Sequence, residues 1–195
     1  VVDRIFITGV APITLDSLTS GFNIGKDISQ DIEYNDMMGF TKNELIEILN
    51  SQEISKEEQE KILPIMKENY DGYKFNFEAK NEIYNSNMCL YFLSDYIRLG
   101  QIPTKLIDTN IASDYSKIGK MLDLCKGENR LEILQKTVQG EPIVSNIVEK
   151  FNPAIEFNET DMISMLYYLG YLTISGEDLG MPELTIPNKV MKEIY

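Results

Sequence analysis

The sequence predicts a mainly α-helical chain with a minor β component. Capping-box signatures precede apolar runs of helical period, Thr41 with Glu44 and Ser55 with Glu58. Near the other end, a helical pattern over residues 158–169 is followed by two short β-prone runs, Tyr171-Leu-Thr-Ile174 and Leu184-Thr-Ile186. A helix followed by such a hairpin is the pattern of a winged-helix-like module. A third observation concerns the opening, where Ile5, Phe6 and Ile7 form a short apolar run between charged residues and Gly9. Such a run reads as a strand buried on both faces of a parallel sheet. Later residues supply too few similar strands to build that sheet, and position 1 is Val rather than Met. The expectation is therefore a back portion of a larger domain, with a leading strand whose neighbours lie elsewhere.

Taken in order, Gly9 and Pro12 break the opening run, residues 14–21 read as a polar connection or one helical turn, and residues 27–36 are polar and irregular. Thr41 caps a first helix striped by Leu45, Ile48 and Leu49. Ser55 caps a second, striped by Ile62, Leu63, Ile65 and Met66, which Pro64 should kink or stop by removing an amide donor. Asn69-Tyr-Asp-Gly-Tyr-Lys-Phe75 holds an Asp-Gly turn clamped by three aromatics. Asn85 caps a third helix that Gly100 closes. Further helices are expected over residues 112–124 and 128–138, with a β-prone stretch over residues 142–151. Asn158 caps the helix before the hairpin, and Gly170 ends it. The hairpin loop is expected to be polar and to contain Gly176, Gly180 and Pro182, and Pro187-Asn188 opens a last helix.

Composition removes several classes of function. There is no His among the 195 residues, which excludes His-based triads, His general bases and nearly all transition-metal sites; no metal site is expected. The net charge of -13 disfavours nucleic acid, since phosphates are held by Lys and Arg. Two cysteines, Cys89 and Cys125, read as buried free thiols of a reducing cytosol rather than a disulfide framework. No apolar run approaches a membrane span, which takes about 20 residues.

Two stretches resemble a family of AAA-ATPase-like bacterial and archaeal proteins that often carry a C-terminal PD-(D/E)XK nuclease-like domain. One is Ile5-Phe-Ile-Thr-Gly-Val-Ala-Pro-Ile-Thr14 through Leu18-Thr-Ser-Gly-Phe-Asn-Ile24, then Met38-Gly-Phe-Thr41 and Glu44. The other is Asn69-Tyr-Asp-Gly-Tyr-Lys-Phe75 with Ile83-Tyr-Asn85. Leu106-Ile-Asp-Thr-Asn110, Asp114-Tyr115, Met165-Leu-Tyr-Tyr-Leu-Gly-Tyr-Leu-Thr-Ile174 and Ile186-Pro-Asn188 extend the likeness along the chain. Asn69 stands where the family commonly has Trp, and Ser86 where it has Pro. The resemblance implies that residues 1–40 are a remnant, one edge, of an α/β P-loop core, 41–126 a helical lid-like subdomain, and 127–195 a winged-helix-like subdomain. The family's phosphate loop and magnesium-holding acidic strand precede the Ile5 run, and no Gly-Lys-Ser/Thr loop occurs in these residues. ATP and magnesium are thus expected only for an intact parent, with an upstream P-loop half and a downstream effector as partners in the same chain.

Each candidate residue has two readings. Thr8 ends the opening run, where a polar residue in such ATPases senses the terminal phosphate or orients water; otherwise its hydroxyl serves the backbone. Arg4 either approaches phosphate or is a solvated strand end, and Gly9 bounds the run. Asp71, beside Gly72, is a carboxylate ligand or nucleotide contact, or else bonds its own backbone in an Asx-type turn. Tyr70 and Tyr73 are core anchors or a stacking platform, and Asn85 is a helix cap. The hairpin's Glu177, Asp178 and Glu183 set the winged-helix-like end against DNA binding. The leading functional expectation is the lid and winged-helix-like part of an AAA-like ATPase, coupling nucleotide state to an attached effector and unable to hydrolyse ATP alone. The alternative is a helical protein-interaction domain without nucleotide, and a DNA-binding winged helix ranks last. An apolar face left by the missing sheet could also pair two copies.

Overall fold

Capping geometry fixes where the first helices begin. Thr41 Oγ1 accepts from the Glu44 amide at 3.3 Å while Glu44 Oε2 accepts from the Thr41 amide at 2.8 Å, opening α1 (Lys42–Ser51). Ser55 and Glu58 repeat the exchange at the start of α2 (Lys56–Tyr70). Each box satisfies amides that the first turn of a helix leaves without partners. The computed structural model describes residues 4–9, 26–107, 115–149, 151 and 156–195. Within them follow α3 (Ser86–Leu99), α4 (Tyr115–Leu124), α5 (Arg130–Gln139), β1 (Ile143–Val144), α6 (Glu159–Tyr168), β2 (Thr173–Asp178), β3 (Met181–Thr185) and α7 (Lys189–Ile194). A single 3-10 turn, Ile32–Tyr34, precedes α1. The chain is mainly helical with one small antiparallel sheet. No helix among the described residues is long and apolar enough to cross a membrane.

The predicted stripes face inward. Leu45 and Leu49 of α1 and Ile62, Met66 and Tyr70 of α2 are each 0% exposed. Burying an apolar side chain of this size stabilises by about 1.5–3 kcal/mol. Asn85 Oδ1 accepts from the Met88 amide at 3.1 Å, and Gly100 closes α3 in the left-handed region at φ 66°. The Tyr70 ring meets Phe92 of α3 edge-on at 6.0 Å. One core cluster joins these helices to α6, the hairpin and α7. Cys89 and Cys125 are buried free thiols within it.

The sheet has the order β1-β3-β2, both pairings antiparallel. Ile143 opposes Leu184 and Ile174 opposes Leu184 from the other side, so Leu184, at 0% exposure, fills the sheet's inner face.

Four expectations are corrected. Ile5, Phe6 and Ile7 are in no strand and are 68%, 60% and 73% exposed, because no neighbouring edge among the described residues offers them ladder bonds. Pro64 does not end α2, which continues to Tyr70. It lies on the exposed side, where water can serve the carbonyl that a proline leaves without a donor, and burial of Met66 and Tyr70 beyond it holds the helix together. The β-prone stretch over residues 142–151 yields only the two residues of β1. After it, the Val148 amide is taken by Ser164 Oγ at 2.9 Å rather than by a strand. Finally, Gly176 and Pro182 lie in strands and not in the loop. Gly176 sits at a register shift of β2, and Pro182 uses only its carbonyl, which accepts from Ser145 at 3.2 Å. The connection expected over residues 14–21, the Leu18 to Ile24 motif, and Asp108 to Asp114 lie outside the described residues.

Because Pro64 is carried on the solvent face at a local cost, Pro64→Ala restores one helical hydrogen bond without touching the core. It should raise the unfolding free energy by about 1–3 kcal/mol, read by urea denaturation with an unchanged m-value.

Candidate functional site

Five of the residues singled out by sequence, Tyr70, Asp71, Gly72, Tyr73 and Asn85, lie at or beside the turn after α2. Tyr70 ends that helix, with its hydroxyl donating to the Leu106 carbonyl at 2.9 Å and its carbonyl accepting from the Asn85 amide at 2.8 Å. Tyr73 and Ile83 exchange both backbone bonds at 3.2 and 2.9 Å, and Tyr84 does the same with Phe40 at 2.8 and 3.0 Å. The turn is thus backed by short bridges on one side.

Its other side is fastened to the hairpin and α7. Thr173 Oγ1 accepts from the Lys74 amide at 2.7 Å and donates to the Lys74 carbonyl at 3.1 Å, and the Ile174 amide reaches the same carbonyl at 3.2 Å. Asn188 Nδ2 donates to the Asp71 carbonyl at 2.9 Å while its Oδ1 accepts from Met191, so one side chain caps α7 and holds the turn. Gly72 has φ 98°, and a Cβ there would stand 2.2 Å from the Pro187 carbonyl oxygen. Only glycine combines that left-handed backbone with so close an approach. On the remaining flank, Asn35, 2% exposed, accepts from the Phe75 amide at 2.9 Å and donates to the Asn81 carbonyl at 3.2 Å.

Asp71 is only 7% exposed, and its Oδ1 is buried without a partner. Burial pushes the carboxyl pKa up, opposed by the Gly72 amide, by Lys67 and by the Tyr84 phenol. The Tyr73 phenol is likewise buried without a completed hydrogen bond, and burial pushes it up to about 12 against the pull of Asn85 and Asn188 beside it. Tyr70 and Tyr73 are core anchors, at 0% and 7% exposure. Asn85 caps α3 as its spacing predicts.

Three clefts border this junction. One of about 260 Å³ is lined by Lys67, Asp71, Lys74, Glu82 and Thr173. A second, of about 280 Å³, lies between Tyr73, Asn85 and Gly170. The third, of about 300 Å³, is lined by Thr8, Gly9, Tyr34, Phe75, Tyr167 and Tyr168. The structure therefore brings Thr8 and Gly9 to Phe75 of the turn and to the end of α6, while Arg4 is exposed and lines none of the three. Among the described residues no group of three or more Cys, Asp or Glu side chains is arranged as metal ligands would be. Of the ten residues of α6, five are buried and five half-buried.

Sequence reasoning missed Thr173, Asn188 and Asn35. Asn188 was readable as a helix cap, but nothing local announces that its amide spans 117 positions to Asp71.

Two outcomes test the junction. Gly72→Ala should lower stability by about 2–5 kcal/mol, from steric overlap with Pro187 plus the left-handed penalty, measured by urea unfolding. For Asp71, a folded-state pKa above the unfolded one means that stability is lost as pH rises through the folded value. Asp71→Asn should therefore melt above wild type at pH 7, with the gap closing as pH falls toward the ordinary carboxylate value of about 3.9. Set against protein-family models, curated proteins and solved structures, the chain matches none.

Proposed function

We propose that this chain supplies the lid and a winged-helix-like element of an AAA-like P-loop ATPase, passing nucleotide state to an attached effector of the nuclease-like kind. One observation carries the reading. Thr8 and Gly9 share a cleft with Phe75 of the clasped turn and with Tyr167 and Tyr168 of α6. A displacement at the end of the opening segment would thus press at once on the turn and on the helix that precedes the hairpin. The turn in turn is bonded to β2 and α7 through Thr173 and Asn188, a continuous mechanical route of the kind that gating needs.

The order β1-β3-β2, with α5 before β1 and α6 between β1 and β2, supports the winged-helix-like element. The resemblance in Ile5-Phe-Ile-Thr-Gly9 and in Tyr70-Asp-Gly-Tyr73 supports the ATPase context. In that context Thr8 faces the terminal phosphate, magnesium and the phosphate loop come from an upstream segment, and these residues alone hydrolyse nothing. A second reading, a helical protein-interaction domain without nucleotide, draws on Leu90 and Ile97, seven positions apart on α3 and each 51% exposed.

One experiment separates the two. The natural chain extended through its upstream coding sequence should gain about 2.7 kcal/mol from MgATP at about 100 times its Kd, seen as a thermal shift. Thr8→Ala in that protein should lower kcat for ATP hydrolysis by roughly 10²-fold while leaving the MgADP shift in place. Absence of any MgATP shift would overturn the ATPase reading and leave the interaction domain.

A further inference from the structure

The β2–β3 hairpin turns over two residues, since Asp178 pairs with Met181 and leaves only Leu179 and Gly180 between them. Both loop residues have positive φ, 49° at Leu179 and 84° at Gly180. A two-residue hairpin loop with this backbone favours Asn or Asp followed by Gly, because short polar side chains and glycine tolerate the left-handed region. Leucine at the first position is the costly choice, as its Cβ crowds the following carbonyl. The turn is held in this state by Glu177 Oε1, which accepts from the Gly180 amide at 2.7 Å.

That leucine contributes nothing to the core. At 91% exposure it is the most exposed of the large apolar residues described, ahead of Ile7 at 73%. It stands among carboxylates: Glu177 and Asp178 precede it, and Glu183 opposes Gly176 on the adjacent strand. From Phe151 to Asn188 the sequence contains no Lys or Arg. An apolar tip on an unrelieved acidic stem repels nucleic acid and anionic membrane surfaces, and a second copy of itself as well.

We infer that the hairpin tip is a docking knob, in which Leu179 enters an apolar pocket of a protein partner whose rim carries Lys and Arg. The acidic stem complements the rim and steers encounter, and the leucine supplies the desolvated anchor. The strained leucine has no packing role in the fold, which leaves its side chain free to serve as that anchor. This inference stands independently of any nucleotide role.

The test has two arms on the full-length protein. In the first, Leu179→Asn should raise Tm by about 2–4 °C, the gain expected from relieving one left-handed leucine in a chain of this size. An unchanged or lower Tm would overturn the strain on which the inference rests. In the second, p-benzoyl-phenylalanine replaces Leu179, and the protein is photocrosslinked in the cells that produce it, with Lys80 as the exposed control position. The expected product is an adduct on an apolar residue flanked by Lys or Arg, reduced at least tenfold by Asp178→Lys with Glu183→Lys. A synthetic peptide bearing that attachment segment should bind the wild-type chain at least tenfold more tightly than Leu179→Asn. No adduct above the Lys80 control, an adduct on an acidic or nucleic-acid surface, or one indifferent to the charge reversals would overturn the docking knob.

Discussion

The contact between Gly72 and the Pro187 carbonyl is the constraint on which much of the remaining geometry depends. A chain that brings two backbones this close must use glycine at one of them and must keep the polar groups on both sides supplied with partners. It does so with side chains that work twice. Asn188 caps α7 and holds the Asp71 carbonyl, and Thr173 takes both the amide and the carbonyl of Lys74. The turn is thereby fixed between the helices that precede it and the hairpin and helix that follow. Two groups are left without partners there, the Asp71 Oδ1 and the Tyr73 hydroxyl, and burial raises the pKa of both.

Beyond the junction, the apolar surface is unevenly distributed. The helix α6 has no exposed residue, while Ile5, Phe6 and Ile7 are largely exposed at the other side of the Thr8 cleft. A helix in that position is an internal support here, and its tyrosines form one wall of the cleft. The opening run is the opposite case, with side chains suited to a buried strand but no ladder among the described residues to join.

Much of the fold was legible because its signals are local. Thr41 with Glu44, Ser55 with Glu58, and Asn85, Asn158 and Asn188 all mark helix starts through bonds spanning three positions, and each cap forms. The stripes of Leu45, Leu49, Ile62 and Met66 were legible for the same reason, as period alone determines which face is apolar. Misreadings arose where distant parts compete with local preference. Pro64 is a helix breaker by propensity, yet burial on either side of it carries α2 through. Pro182 and Gly176 are loop residues by composition, yet pairing with Glu177 and Glu183 draws them into strands.

By itself, then, the sequence determined the capped helix starts, the absence of histidine chemistry, the net acidic charge and the small hairpin near the end, because each follows from composition or from bonds between near neighbours. Only the tertiary structure decided that the Tyr70 to Phe75 turn is clasped by Thr173 and Asn188, that Thr8 shares a cleft with Phe75 and Tyr168, and that α6 is covered. The clasp depends on contacts across 99 and 117 positions, Lys74 with Thr173 and Asp71 with Asn188, and contacts between distant segments leave no periodic or local trace in the chain that makes them.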